Sequence, residues 1–300
     1  MPFFIEKGDL ITKEVDCIVN ASNVNLSMVE GVGRAIFHKA GDVELARACK
    51  KIGHCSVGDA VTTPSFGIQN TKLLIHAVGP IFINGKHNEE KNLRSAYLKS
   101  LNLVLENNFS TVAFPLLSGE FNYPLKECYE TAEDEILTFL KDHNEMVVHL
   151  VMYKNFPEIV NEEKQLDLKK YVQSNQGIAV KEIKSRKKFS SLLKSFISDK
   201  KMLLEDVSYK SNIKLSTLKK ILSDSIDSVS KETIFALGIG LELSKVELNS
   251  LLMTKGFVIE NTSLCDLIIS YFVDNKIYNV FEINRALFHY GFVAIGCEKW

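Results

Sequence analysis

Glycine and small polar residues follow several apolar runs in the first half of this 300-residue chain. Gly8-Asp9-Leu10 lies near the N-terminus, Asn20-Ala21-Ser22-Asn23 follows a β-rich run, and Ser118-Gly119 follows another apolar run. Glycine lets a backbone approach a ligand closely. These segments are therefore the first candidates for residues that contact a ligand.

The cysteines and histidines show no spacing that is typical of a metal site. The six cysteines form no CxxC pair and no CxxC-to-HxxxH arrangement. His76 lies inside an apolar run, where a hydrogen-bonded core residue is the favoured interpretation. His38 and His54 lack the second and third ligands that zinc requires. We therefore expect reduced, mostly buried thiols and neither a metal nor another cofactor.

The elements that must position these residues alternate between strands and helices through about residue 160. Four apolar runs have the length of strands that are covered on both faces: residues 17–19, 73–78, 112–117 and 146–153. Apolar spacing of the i, i+3, i+4 kind predicts three helices: residues 32–49, 88–107 and 126–143. This alternation predicts an α/β layer fold that binds its ligand beside the carboxyl ends of the strands.

The order of the motifs resembles that of the macrodomain, the ADP-ribose-binding α/β/α module. Two further segments carry the resemblance, Ile75-His76-Ala77-Val78-Gly79-Pro80 and Phe114-Pro115-Leu116-Leu117-Ser118-Gly119, and it spans about residues 3–160. It implies a three-layer α/β/α fold with a mixed central sheet. It also implies that the ligand is ADP-ribose or an ADP-ribosylated protein.

The resemblance assigns a role to individual residues. Asp9 matches the carboxylate that accepts a hydrogen bond from the adenine amino group, next to the Leu10 backbone, although a turn or cap is the alternative role. Asn23 matches the asparagine at the distal ribose, and Phe121 matches the aromatic residue that closes over that ribose. Tyr153 matches an aromatic residue at the adenine, with core packing as its alternative. The other matches lie in the two loops that hold the diphosphate: Gly31, Val32, Ser118 and Gly119.

Both loops also depart from the family pattern. A glycine run usually precedes Val32, whereas this chain has Val29 and Glu30 there. Gly33 stands where hydrolytic members have the Asp that orients the attacking water. The second loop, residues 118–124, is one residue shorter than usual and carries Glu120.

Carboxylates of Glu30 and Glu120 that point into the pocket would repel a diphosphate, so three interpretations of these residues stay open. In the first, both side chains face solvent. In the second, Glu30 replaces the missing Asp as the base that orients water beside Asn23, and in the third the pocket binds a different ligand. Hydrolysis of ADP-ribosyl or O-acetyl-ADP-ribose adducts therefore stays an alternative to binding without turnover. A degenerate sensor or dimerisation platform is a further alternative.

The second half of the chain has a different pattern. Residues 161–188 are polar and predict a linker, made of a helix and a flexible stretch, after a domain over residues 1–160. Residues 189–300 predict an all-helical domain. Residues 203–222 predict two helices around a tight turn at Asn212. This arrangement resembles the helix-turn-helix of repressor-like, Xre-type regulators, and its fusion to a macrodomain resembles a bacterial architecture. Four residues are expected on the exposed side of the second helix: Ser216, Thr217, Lys219 and Lys220.

Charge favours no single partner for this helical domain. Residues 186–300 carry 16 basic and 13 acidic side chains, a net charge of 16 − 13 = +3. The second helix lacks the Arg, Gln and Asn that commonly read base edges. DNA, a protein partner and self-association therefore all stay open.

Composition sets limits on the function of the whole chain. Lys and Arg total 36 against 37 Asp and Glu, a net charge of −1, which excludes binding of nucleic acid by bulk charge. No apolar run reaches the roughly 18 residues that span a bilayer, and Glu6 and Lys7 interrupt the apolar start. We therefore expect a cytoplasmic protein without a membrane partner.

Overall fold

The computed structural model describes residues 2–119, 122–153, 162–176, 188–226 and 228–296. These residues form two compact units. The first unit contains residues 5–153, and the second contains residues 2–4 together with the described residues from 162 onward.

The first unit is built on a six-stranded mixed sheet. The strands are β1 (Phe3–Lys7, whose residues 3 and 4 are counted with the second unit), β2 (Cys17–Ala21), β3 (Ala60–Pro64), β4 (Leu73–Ala77), β5 (Thr111–Phe114) and β6 (Val147–Met152), in the order β1-β6-β5-β2-β4-β3. The neighbours β2–β4, β2–β5 and β5–β6 are parallel, and β3 is antiparallel to β4. The carboxyl ends of these four parallel strands therefore meet at one edge of the sheet.

Helices cover both faces of this sheet. They are α1 (Val32–Ala40), α2 (Asp42–Ile52), α3 (Glu89–Glu106) and α4 (Leu125–Asp142). Ala113 of β5 packs in the core with residues of α1 and α2, whereas the adjacent Phe114 points to the opposite face and stacks on Tyr97 of α3 at 5.3 Å between ring centroids. The predicted α/β fold with a mixed sheet is confirmed.

One helix boundary differs from the sequence-based prediction. The pattern over residues 32–49 predicts one helix, but the structure contains two, because Gly41 between them has φ of 107°. An L-residue with a side chain rarely adopts that conformation, so the glycine permits the break. Strands β1 and β3 were not predicted from the apolar runs.

The second unit is helical. Its helices are α5 (Glu162–Asn175), α6 (Phe189–Asp199), α7 (Leu204–Ser211), α8 (Leu215–Leu222), α9 (Lys231–Gly240), α10 (Lys245–Met253), α11 (Leu264–Asp274) and α12 (Val280–His289). Helix α5 falls in the segment that the sequence predicts to be a linker, and its Leu168 is buried.

The turn between α7 and α8 has the conformation that its sequence predicts. Asn212 adopts φ of 58°, in the left-handed region. Its side-chain amide also makes two hydrogen bonds with the backbone of Phe3: the N–H of Phe3 donates to Oδ1 at 2.8 Å, and Nδ2 donates to the carbonyl of Phe3 at 2.8 Å. On α8, Ser216, Lys219 and Lys220 are exposed, but the expectation for Thr217 is wrong, because its side chain is buried against the unit.

None of the described helices is both long and apolar enough to cross a bilayer.

Candidate functional site

The loops at the carboxyl edge of the sheet enclose a cleft made of two adjoining cavities. The larger cavity has a volume of about 450 Å³ and the smaller about 270 Å³. The two cavities share Val32, Val151 and Tyr153, so they form one elongated cleft. Its position beside the ends of parallel strands is the one that the sequence predicts for a ligand.

The smaller cavity contains the motif Gly8-Asp9-Leu10. The N–H of Gly8 donates to the carbonyl of Met152 at 3.0 Å, which fixes the motif beside the end of β6. Asp9 is exposed, and its Oδ1 accepts the N–H of Ile11 at 3.1 Å, capping a short 3₁₀ turn over Leu10–Thr12. The cap therefore holds the Asp9 carboxylate at the cavity while the second oxygen stays available to a ligand.

Tyr153 lies at the rim that joins the two cavities. Its side chain is 76% exposed, so packing in the core is not its role. An exposed aromatic ring beside a cavity offers a flat surface on which a planar ligand group can stack.

The first loop connects β2 to α1 and contributes Val29, Glu30, Gly31 and Val32 to the cleft. Gly31 has φ of 72° and precedes α1, with no side chain capping the helix and no acidic residue in its first turn. The N–H groups at the start of α1 therefore remain available to an anion.

Asn23 does not line either cavity in this structure. Its Oδ1 accepts the N–H groups of Asn25 and Ser27, both at 3.1 Å, and its Nδ2 donates to the hydroxyl of Ser27 at 2.8 Å. All of these bonds lie within the loop that follows Asn23. Asn23 therefore shapes the first loop here.

Glu30 lines the larger cavity, but its carboxylate forms an ion pair with Arg34, four residues further along. Both side chains are more than half exposed, so the pair lies at the mouth of the cavity. Arg34 therefore offsets the negative charge that Glu30 adds near the anion site, to the small extent that solvent screening allows.

Val29 fills the space beside Gly33. A Cβ atom placed on Gly33 would lie 2.9 Å from Cγ2 of Val29 and 3.5 Å from Oδ1 of Asn20. The wall that faces the cavity at this point is therefore apolar, and no carboxylate stands at residue 33.

The second loop begins at Ser118 and Gly119, which both line the larger cavity. The residue before them, Leu117, is held at both backbone groups: its N–H donates to Tyr97 Oη at 2.9 Å, and its carbonyl accepts the thiol of Cys128 at 2.9 Å. Ser118 is buried with φ of 64°, and its hydroxyl has no hydrogen-bond partner in the structure. Phe121 and Glu120 lie outside the described residues.

Several residues that line the cleft are not indicated by any sequence motif. They are the apolar ones that face the larger cavity: Ala21, Pro115, Leu116, Leu125, Val151 and Met152. Ala35 of α1 and Ile11 complete the smaller cavity. Most of them stand at or just after strand ends, and that position is the signal that identifies them.

His76 is a core residue, as its position in an apolar strand predicts. It is fully buried, and burial lowers the pKa of its imidazole to about 4, so it is neutral. Its Nδ1 lies 3.1 Å from Asn20 Nδ2 and its Nε2 lies 2.9 Å from Thr63 Oγ1.

Burial raises the pKa of the Cys17 and Cys128 thiols to about 12. Among the described residues no cluster of His, Cys, Asp and Glu is suited to hold a metal ion.

The loop after β4 is organised by one buried carboxylate. Glu89 is 2% exposed and accepts backbone N–H groups from Ile83 at 3.3 Å, Asn84 at 3.3 Å, Gly85 at 3.1 Å and His87 at 2.5 Å. Burial alone would raise the pKa of Glu89, but these hydrogen bonds outweigh it and lower the pKa to about 2.

Replacing Glu89 by Gln is expected to lower the Tm at pH 7, because the amide NH2 group would face backbone donors. The lowered pKa means that the carboxylate stabilises the fold above about pH 4.5 and loses this contribution as the pH falls from about 4.5 towards about 2. The difference in Tm between wild type and variant should therefore shrink as the pH is lowered from 7 to 3. Glu90→Gln, at an exposed position of the same helix, is the control; a Glu89→Gln deficit that does not change with pH would contradict the prediction.

Comparison with known proteins gives matches to part of the chain. A family model described as Macro domain matches residues 19–132. An O-acetyl-ADP-ribose deacetylase of Citrobacter koseri is 42% identical over 144 residues, which cover 46% of this chain and 80% of that protein. A Macro domain-containing protein of Lactiplantibacillus plantarum is 44% identical over 119 residues, 39% of this chain and 68% of that protein.

A solved structure is also similar to this chain. The Oceanobacillus iheyensis macrodomain with ADP is 30% identical with a TM-score of 0.49, over 55% of this chain and 90% of that chain.

Proposed function

Because the chain belongs to the Macro domain family, we propose that its cleft binds ADP-ribose, either free or attached to a macromolecule. The observation that carries this proposal is the division of the cleft into two joined cavities with different polar groups. Asp9 stands at the smaller cavity, and the start of α1 and the Ser118-Gly119 segment stand at the larger one.

The ligand fits this division group by group. Adenine occupies the smaller cavity, where Asp9 accepts its amino group, the Leu10 backbone meets the ring, and Tyr153 stacks on it. The diphosphate lies between the N–H groups of Gly31 and Val32 and that of Ser118, whereas the N–H of Gly119 donates to the carbonyl of Leu116 at 3.2 Å. The distal ribose then lies in the larger cavity, where the resemblance also places Phe121 and Asn23.

Binding without turnover is the version of this function that the site supports best. Gly33 provides no carboxylate, Val29 fills the space beside it, and Glu30 pairs with Arg34. The alternative is hydrolysis of an ADP-ribosyl or O-acetyl-ADP-ribose adduct, with Asn23 positioning the ribose and Glu30 orienting a water. The Citrobacter koseri relative is named for the second of these reactions.

The substitution Glu30→Gln distinguishes binding without turnover from hydrolysis through Glu30. If the purified protein hydrolyses O-acetyl-ADP-ribose through Glu30, the variant should lose at least 100-fold in rate, the usual contribution of general base catalysis. We expect instead that wild type and variant show the same background rate, as measured by release of acetate. A wild-type rate that falls with the substitution would overturn the proposal of binding without turnover.

Calorimetric titration of the full chain with ADP-ribose tests the binding function itself. We expect a Kd in the micromolar range or tighter, about −8 kcal/mol. Absence of heat, together with failure of ADP-ribose to compete for the cleft, would mean that the pocket holds another ligand.

For the second unit we propose that the α7–α8 pair recruits a macromolecular partner, in a helix-turn-helix-like arrangement. Three polar side chains on α8, Ser216, Lys219 and Lys220, are exposed, which supports a contact surface. A protein partner or self-association is the favoured version, because the helix lacks Arg, Gln and Asn. DNA binding through phosphate contacts of the lysines is the alternative, and it would be salt-sensitive. If the wild-type protein shifts the mobility of DNA in a gel at low salt and the double variant Lys219→Ala/Lys220→Ala does not, DNA binding is the correct alternative.

We also propose that the protein acts in the bacterial cytoplasm. The five described cysteines are all free, which fits a reducing compartment.

A further inference from the structure

A separate groove runs between helix α2 and strand β3. Its volume is about 440 Å³, and none of its lining residues lines either cavity of the cleft. One side is a face of α2 that includes Arg47, Ala48 and Lys51, and the other is residues 62–64 of β3. The groove therefore joins a helix face to the edge of the sheet.

Strand β3 is the last strand on its side of the sheet, so one of its edges is open. The N–H of Val78 donates to the carbonyl of Asp59 at 2.9 Å, which turns the backbone groups of Asp59 and of every second residue after it towards β4. The backbone groups of Ala60, Thr62 and Pro64 therefore point away from the sheet. The N–H of Ala60 donates to Asp59 Oδ1 at 3.2 Å, and proline has no N–H. Among the residues of β3, Thr62 alone offers both an N–H and a carbonyl to a further strand.

Two cations of α2 face the groove. Arg47 and Lys51 both line it, and neither forms an ion pair with any residue that the structure describes. The third charged lining residue is Glu44, whose carboxylate lies at the start of α2: a Cβ atom on Gly41 would be 2.8 Å from its Oε2. The groove therefore carries a net positive charge and is complementary to an anionic partner.

Two half-exposed apolar side chains complete the lining. Ile52 is 38% exposed and Phe66 is 39% exposed. Phe66 has φ of 48°, which a bulky residue rarely adopts, and the N–H of Gly67 donates to the carbonyl of Ala40 at 2.9 Å and fixes this turn. The strained backbone keeps an aromatic ring at the surface of the groove, where it can contact a ligand.

The side chains of a strand that pairs with Thr62 would alternate between the two faces of the sheet. Thr63, the neighbour of Thr62, points to the α2 face, because its Oγ1 lies 2.9 Å from His76 Nε2 and that nitrogen lies 4.0 Å from Cys49 Sγ of α2. The two neighbours of the residue that pairs with Thr62 would therefore also point to the α2 face, where the groove lies.

The spacing of these two neighbours matches the spacing of the cations. Residues two apart in a strand are separated by about 7 Å. Arg47 and Lys51 are four residues apart on one helix, which is about 6 Å along its axis. An acidic side chain on each neighbour could therefore pair with one cation.

We propose that this groove binds an extended segment of another protein that carries acidic side chains at alternate positions. The residue between the two acidic ones pairs with Thr62, and the two carboxylates meet Arg47 and Lys51. The contact is short, because Pro64 and the Asp59 cap prevent a longer strand from pairing with this edge. It does not depend on a nucleotide in the cleft.

Two labelled peptides test the charge requirement by fluorescence anisotropy with the full chain. One contains Thr-Thr-Glu-Val-Glu-Thr-Thr and the other has glutamine in place of both glutamates. At low salt the acidic peptide is expected to bind about fivefold more tightly, because each exposed ion pair contributes little, and the preference should decrease as salt is added. The variant Arg47→Gln/Lys51→Gln should keep the wild-type Tm and bind the two peptides alike.

Lys50→Gln/Lys91→Gln is the matched control, because it removes the same charge from two exposed positions outside the groove. It should retain the preference for the acidic peptide. Equal affinity of wild type for the two peptides, or an equal loss of preference in both double variants, would overturn the proposal. Complete displacement of the acidic peptide by a similar concentration of free glutarate would also overturn it, because the groove would then be a site for small carboxylates.

N-methylated versions of the acidic peptide test the pairing with Thr62 on the wild-type protein. A methyl group on the valine nitrogen removes the N–H that donates to the Thr62 carbonyl, so binding should be lost. A methyl group on the second glutamate nitrogen, which points away from β3, should leave the affinity unchanged. Equal affinity of the two methylated peptides would show that charge alone attracts the segment and would contradict pairing with this edge.

Discussion

Replacing Asp9 by Ala is expected to weaken binding of ADP-ribose roughly 30-fold, about 2 kcal/mol, because a hydrogen bond to a charged group contributes about 1.5–3 kcal/mol. The carboxylate is exposed, so its removal leaves no buried group unsatisfied. Its Oδ1 also caps the 3₁₀ turn through Ile11, and part of the loss would come from a less ordered loop. Calorimetric titration of wild type and variant measures the change directly.

Two controls separate the adenine contact from the cap. Asp9→Asn keeps an oxygen that accepts the N–H of Ile11 but removes the charge, so its affinity should lie between those of wild type and Asp9→Ala. Inosine diphosphate ribose carries an oxygen in place of the adenine amino group. Wild type should bind it more weakly than ADP-ribose, and Asp9→Ala should bind the two alike. Wild-type affinity in Asp9→Ala would show that adenine does not occupy this cavity.

The second large effect is expected at Gly240, the last residue of α9. A Cβ atom there would lie 2.8 Å from the backbone nitrogen and from Cβ of Ser211, and 3.0 Å from its Cα. Because the obstacle is mainly the backbone of α7, the helix must move. Overpacking of this kind costs about 1–3 kcal/mol, and we expect Gly240→Ala to lower the free energy of unfolding of the helical unit by about 2 kcal/mol.

Gly238 on the same helix provides the matched control. Its Cβ would meet mainly the end of the Leu248 side chain, which can rotate away. Alanine is also favoured over glycine within a helix by about 1 kcal/mol. Gly238→Ala should therefore be much less destabilising than Gly240→Ala in urea unfolding of the full chain. A Gly240→Ala protein that is as stable as Gly238→Ala would show that α7 and α9 can separate without cost.

Apolar periodicity predicted the helices well and the strands less completely. The second half, which the pattern predicts to be helical from residue 189 onward, contains α6–α12, because amphipathic spacing records which face each helix buries. Strand β3 has no apolar run to reveal it: it lies at the edge of the sheet, and most of its side chains are only half-buried. Gly41 shows that a single residue with positive φ can divide one continuous helical pattern in the sequence into two helices, α1 and α2.

Backbone motifs in the sequence indicated some of the residues that line the cleft. Residues whose place in the cleft depends on side-chain packing were not indicated by any motif. Asp9 and the Ser118-Gly119 segment do line the cleft. The direction of Glu30 depends on the position of Arg34, one helical turn further along, and no pattern in the sequence states that the two are paired. Leu125 and the other apolar lining residues look like core residues in the sequence, because a pocket wall and a core have the same composition.

The pairing of Asn212 with Phe3 has a consequence for the synthesis of the chain. The two residues are 209 positions apart, and each hydrogen bond between them is buried. At about 5–20 residues per second, a ribosome reaches Asn212 roughly 10–40 s after Phe3. The two hydrogen bonds between Phe3 and Asn212 therefore cannot form until the whole intervening segment has been translated.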